Sequence, residues 1–204
     1  MKTLCRKRGN ARAPNKVRYS RKGAFSCIVT CCLLLGTTVS VHAQTDNDTE
    51  YRVKLAFLYN FAQFVQWPPK AFDSPNAPLM ICIAGQDPFD RSIEQELRSR
   101  TVGDHPVGIK RLKPNDDPRA CHMIFVRAGD KRTAARILMS LKGSNTLTVG
   151  ETQGFADKGG VINLIIENKK LRFEVNLDAA EQTRLKISSK LLALAKIVDP
   201  PKNH

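Results

Sequence analysis

Between residues 78 and 149, short apolar runs alternate with segments of helical period, and no other feature limits the fold as much. PLMICIA (78–84) reads as a buried strand, and Asp87 caps a helix to Arg98 with Phe89, Ile93 and Leu97 four residues apart. VGIKRL (107–112) is a strand, CHMIFVR (121–127) a further buried strand, and 130–141 a helix turning Ala134, Ile137, Leu138 and Leu141 inward. Residues 146–149 form a short strand, followed by a loop over 150–160. The pattern then changes. Residues 161–167 and 171–177 alternate about the turn Glu167-Asn168-Lys169-Lys170, which predicts an antiparallel hairpin with a half-exposed face. In its second strand Leu171, Phe173, Val175 and Leu177 point one way, and Arg172, Glu174 and Asn176 the other. A short helix over 178–183 follows. A final helix is capped by Ser188 or Ser189, carries Leu191, Leu192, Leu194, Ala195 and Val198, and stops at Pro200-Pro201. Elements in this order predict an α/β fold: a three-layer αβα-type single domain with a mixed sheet, a C-terminal β-hairpin and a helix.

Ahead of the alternation lies EYRVKLAFLYNFAQFVQ (50–66), a helix ended by Trp67-Pro68-Pro69 and preceded by the polar, flexible stretch QTDNDT (44–49). Val53, Phe57, Phe61, Phe64 and Val65 form one face. Leu55, Leu58, Tyr59 and Ala62 widen it until only Arg52, Lys54, Asn60, Gln63 and Gln66 remain as a narrow polar stripe. A helix of this kind needs cover on nearly every side, from its own domain or from a partner.

The net charge of +14 suggests nucleic acid or an anionic surface until its distribution is read. Residues 1–43 hold nine basic residues and no acid, whereas 44–204 hold 24 basic and 19 acidic residues. The uncharged run AFSCIVTCCLLLGTTVSV (24–41) and the small-residue pattern Val41-His42-Ala43 complete a cleaved signal peptide over 1–43. A transmembrane anchor is the alternative reading, diluted by Thr30, Gly36, Thr37, Thr38 and Ser40. No cysteine follows the cleavage point, so a soluble exported protein of residues 44–204 is expected, without nucleic acid as a partner. Two cysteines remain there, Cys82 and Cys121. In an oxidising compartment an isolated pair reads as one disulfide, the alternative being two buried thiols on separate strands.

Familiar catalytic signatures are missing: no GxGxxG, P-loop, HExxH or GxSxG. His105 lies in the turn Gly103-Asp104-His105-Pro106, and His122 follows Cys121 directly, so the two side chains point to opposite sheet faces. His204 is the remaining histidine of the exported chain. No metal, cofactor or catalytic residue is expected. Asp87 and Asp90 read as helix-start residues, Asp116-Asp117-Pro118 as a loop turn. The basic clusters Lys169, Lys170, Arg172 and Lys131, Arg132, Arg136 read as solvated faces.

Three segments together resemble the YfiR family of periplasmic regulators of Gram-negative bacteria. They are Lys54–Phe61 continuing through Phe64-Val65 to Trp67-Pro68; Gly159-Gly160-Val161-Ile162-Asn163 leading into Leu171–Asn176; and Leu185–Ala195, LKISSKLLALA. Cys82 and Cys121 fit the family's strand cysteines, and the resemblance spans about 50–198. It implies a non-enzymatic repressor that binds the periplasmic region of an inner-membrane diguanylate cyclase, lowering cyclic-di-GMP and biofilm formation. It further implies sequestration by an OmpA-like outer-membrane lipoprotein, and a homodimer. Phe61, Phe64 and Trp67 are then candidate core-to-interface anchors, the alternative for each being plain core packing, and Arg172 and Lys186 are candidate partner contacts, the alternative for both being solvated surface. Two departures stand out: no second cysteine pair follows the third helix, and the hairpin turn is Asn168-Lys169 rather than Asn-Gly. The alternative function is a periplasmic module that binds a small ligand in a pocket between sheet and helices and acts on another membrane signalling protein.

Overall fold

The computed structural model describes residues 42–85, 91–127, 129 and 131–199, the side chains of 42–48 and 91–93 excepted. The proposed leader up to residue 41, Asp87, Phe89, Asp90, the Ile93 side chain, Pro200-Pro201 and His204 lie outside the described residues. Two units meet between Gln44 and Thr45; of the first, only His42–Gln44 is described.

The helices are α1 (His42–Phe64), α2 (Arg91–Arg98), α3 (Lys131–Ser140), α4 (Leu177–Gln182) and α5 (Ser189–Leu192). The strands are β1 (Val65–Gln66), β2 (Leu79–Ala84), β3 (Thr101–Val102), β4 (His105–Leu112), β5 (Met123–Val126), β6 (Leu147–Gly150), β7 (Ile162–Glu167), β8 (Lys170–Asn176), β9 (Lys186–Ile187) and β10 (Lys196–Val198). Eight strands form one mixed sheet in the order β10-β8-β7-β6-β5-β2-β4-β3, and β1 pairs with β9 separately. Strands β7, β6, β5, β2 and β4 run parallel, as crossover connections require.

Alternation along the strands builds the layers. On β2 and β5, Leu79, Ile81, Ile83, Met123 and Phe125 share a core with Leu55, Leu58, Phe61 and Ala62 of α1. Their neighbours Cys82, Ala84, Ile124 and Val126 face the other way, onto Ala134 and Ile137 of α3. Thus α1 and α3 cover opposite faces. Where α3 gives out, the 151–160 loop sends Phe155 down onto the sheet beside Gly150 and Gly160. Any Cβ at those glycines would fall 2.4 and 2.1 Å from its ring, so only glycine admits the phenyl group there.

The chain departs from the sequence reading at five places. The first helix starts at His42, so QTDNDT is helical rather than loose. Its buried face runs through Leu55, Leu58, Phe61, Ala62 and Val65, leaving Val53 and Phe64 exposed, while Lys54 lies inside instead of on the polar stripe. Only Gly103-Asp104 form the turn, because His105 and Pro106 pair with Val102 and Thr101 in β3. The closing helix stops at Leu192; Ser188 caps it, and Lys196–Val198 instead adds a parallel edge strand to β8. β-Branched Ile197 and Val198 suit that strand better than a helix. Finally, Asn176 is buried rather than outward: its Oδ1 accepts from the Ala179 amide and its Nδ2 donates to the Ala156 carbonyl, capping α4.

Candidate functional site

Cys82 and Cys121 are joined as a disulfide, with Cα atoms 5.9 Å apart across a 39-residue separation. The bridge fastens β2 to the segment entering β5 on the α3 side of the sheet. Beside it, His122 turns to the opposite side and receives the Met80 amide proton on Nδ1 at 3.0 Å. With Nδ1 an acceptor, the ring proton sits on Nε2, 2.8 Å from the Ala71 carbonyl oxygen. Phe72 is sandwiched between His105 and His122, with centroids 3.6 and 4.4 Å away. Burial depresses the His122 pKa, the hydrogen bond to Ala71 opposes this, and the nearby His105 adds to the depression.

Trp67 closes this corner. Its Nε1–H donates to the His122 carbonyl at 3.2 Å, and its half-buried ring packs against the α1-side core. One residue earlier the chain pairs as β1 with β9, placing Gln66 opposite Lys186 and Val65 opposite Ile187. The Ser188 amide donates to the Phe64 carbonyl, so Phe64 and Lys186 are brought to one shallow depression with Gln63, Ser189 and Lys190. Phe64 is 38% exposed there. Phe61, in contrast, has no exposure; its ring meets Phe57 and Phe173 edge to face at 5.9 and 5.1 Å. Arg172 sits apart, on the β7–β8 hairpin opposite Ile165, with its guanidinium 3.7 Å from Glu167. The structure therefore unites Phe64 and Lys186, sets Trp67 next to them in the chain, holds Phe61 behind them as core, and leaves Arg172 on another edge.

A group that sequence reading did not find lies midway along α1. Lys54 Nζ donates to Glu151 Oε2, both side chains being almost fully buried, and also pairs with Glu50. The ammonium lies 4.5 Å from the Tyr51 ring centroid, and Arg127 Nε donates to the Tyr51 hydroxyl at 3.0 Å. Burial alone would lower the Lys54 pKa, yet the hydrogen bonds its ammonium donates to Glu151 and Glu50 outweigh it and raise the value. The only hint was a lysine spaced among residues of the buried face; its partner, 97 residues away, carries no local signal.

Among the described residues, no group of three or more His, Cys, Asp or Glu side chains is arranged to hold a metal ion, and no helix is long and apolar enough to cross a membrane.

A disulfide-bridged, three-layer α/β domain whose first helix and β1–β9 pair present an exposed aromatic beside basic residues is the class that fold and site define. Residues 51–196 match the YfiR/HmsC-like family, and the chain belongs to it. That family consists of regulatory rather than catalytic proteins, periplasmic in general. Among solved structures, a conserved domain protein from Vibrio cholerae O1 biovar El Tor str. N16961 is similar at 11% identity and a TM-score of 0.49, over 71% of this chain and 60% of that one. The ABC domain from Streptococcus pneumonia in complex with L-Trp is similar at 11% identity and a TM-score of 0.41, over 58% of this chain and 55% of that one. The chain thus spans less than two thirds of either structure.

Proposed function

We propose that this protein is a periplasmic repressor that binds the periplasmic region of an inner-membrane diguanylate cyclase and holds it inactive, keeping cyclic-di-GMP and biofilm formation low. Family membership over residues 51–196 is the observation that carries this reading. Its setting agrees with the leader-like start of the sequence and with a cystine suited to an oxidising compartment. The docking surface is the corner where Phe64 meets Lys186, continued along α1 by Val53, three helical turns away on the same face and 42% exposed. Phe61 and Trp67 hold that corner from behind, and Arg172 is a peripheral contact.

Regulation follows from linkage. A repressor that binds the inactive cyclase better than the active one shifts the population towards inactivity. An OmpA-like outer-membrane lipoprotein competing for the repressor releases the enzyme, and a homodimer presents two such corners to a dimeric cyclase.

The test is genetic. Deleting the gene raises cyclic-di-GMP in cells that retain the partner cyclase and leaves it unchanged in cells lacking that cyclase. An unchanged level in both backgrounds refutes the proposal.

A further inference from the structure

The α3 face of the sheet is incompletely roofed. Between α3 and the 151–160 loop a groove of about 330 Å³ remains, floored by Ala134, Leu138 and Phe155. Its mouth is ringed by three exposed lysines, Lys131, Lys142 and Lys158, and none of the described residues lining it is acidic. Met139, on the same helix, is 65% exposed at the rim.

We infer that this groove binds a small free carboxylate with an apolar tail, the tail lying on Leu138 and Phe155 and the carboxylate meeting the lysine rim. Three observations converge on that chemistry. An apolar floor favours hydrocarbon. A rim with cations and no carboxylates favours an anionic head. The volume, at the small end of the range for ligand cavities, admits a single chain of roughly ten to fifteen heavy atoms rather than the paired chains of a membrane lipid. The site is on the α3 face, whereas the proposed partner corner belongs to α1 and β9, so it stands whether or not the cyclase reading holds.

Decanoate is the probe, followed by methyl NMR of the purified protein. Saturable shifts are expected at the Ala134, Leu138 and Met139 methyls. Ala135→Trp, an exposed α3 position lining the groove, fills the space and weakens binding at least tenfold. Lys131→Glu combined with Lys142→Glu does so by about tenfold, and decanol, which lacks the charge, binds at least tenfold more weakly than decanoate. Each variant's dispersed amide spectrum reports that it has folded. No saturable shift at those methyls, equal affinity in folded Ala135→Trp, or equal binding of decanol overturns the inference. So does co-sedimentation with phosphatidylglycerol vesicles that decanoate does not displace, which would assign the face to lipid surfaces instead.

Discussion

Lys54 Nζ lies 2.5 Å from Glu151 Oε2, with the two side chains 7% and 5% exposed, and this pair ties the first helix to the loop beyond β6. Breaking a buried pair from one side leaves a charge in a poorly solvating site, which costs more than the intact pair contributes. Lys54→Met is therefore expected to lower unfolding free energy by about 3 kcal/mol, whereas Lys54→Met with Glu151→Leu recovers most of the loss. Urea denaturation of the four proteins in the cycle checks this. Equal losses in the single and double variants would show that hydrocarbon packing, not charge, decides the site.

The Cys82–Cys121 bond restricts the unfolded chain across 39 residues. On loop entropy alone, removing both thiols by Cys82→Ala and Cys121→Ala costs about 4 kcal/mol. The comparison is the denaturation midpoint of oxidised wild type against the double variant and against wild type in reductant. A midpoint unmoved by reductant would mean that the bond contributes nothing.

The core was legible from spacing because hydrophobic alternation is a local property: Ile81 and Ile83 against Cys82 and Ala84, or Phe125 against Ile124, separate into two faces as a period of two demands. What escaped was fixed at a distance. Whether LALAKIV continues as helix or leaves it as a strand depends on the open edge of β8, to which Ile197 pairs at Val175, and no local pattern records that edge. Glu151 gives Lys54 its interior position in the same non-local way. Of the candidate site, the pairing of Cys82 with Cys121 was legible, while the union of Phe64 with Lys186 needed the β1–β9 pairing. Phe61 could not be distinguished from Phe64 in sequence, since both lie on an apolar stripe that the fold buries unevenly.

At the proposed docking corner, Phe64→Asp places charge on a ring already 38% exposed, and Lys186→Glu reverses an exposed charge across the β1–β9 pair. Neither change opens the core, so melting temperatures stay near wild type. Each variant is expected to fail to restore low cyclic-di-GMP in the deletion strain, while Arg132→Glu, at an exposed α3 position on the opposite layer, restores it. Full complementation by Phe64→Asp would move the docking surface elsewhere.

His122 is held neutral by geometry: its Nδ1 accepts from the Met80 amide, so a second ring proton there breaks that bond. Its folded pKa is below the ordinary 6.5, chiefly through burial, with His105 reinforcing the depression and the Ala71 carbonyl and Asp73 opposing it. The unfolded chain therefore takes up the proton first as pH falls. The stabilisation is complete above about pH 6.5 and is lost as pH drops through the folded pKa. Urea midpoints measured from pH 7.5 to 5 should decline, with Trp67 fluorescence as reporter, and His122→Gln should flatten that decline. An equally steep decline in the variant would place the pH dependence on other groups.

The β7–β8 hairpin turns at Asn168 and Lys169, with φ of 50° and 60°, between the paired residues Glu167 and Lys170. Both central residues are left-handed, as a two-residue turn compatible with strand twist requires. Asparagine tolerates this backbone well, whereas lysine bears a steric cost of about 1 kcal/mol at its Cβ. Glycine removes that cost but makes the unfolded chain more flexible, which offsets part of the gain. Lys169→Gly should therefore stabilise the protein by roughly 0.5 kcal/mol, while Lys169→Val, whose branched Cβ resists positive φ, should destabilise it by more than that. The contrast between them isolates backbone conformation from loss of the lysine charge, because both substitutions remove the ammonium group. If glycine and valine shift the urea midpoint equally, charge rather than the left-handed turn governs this position.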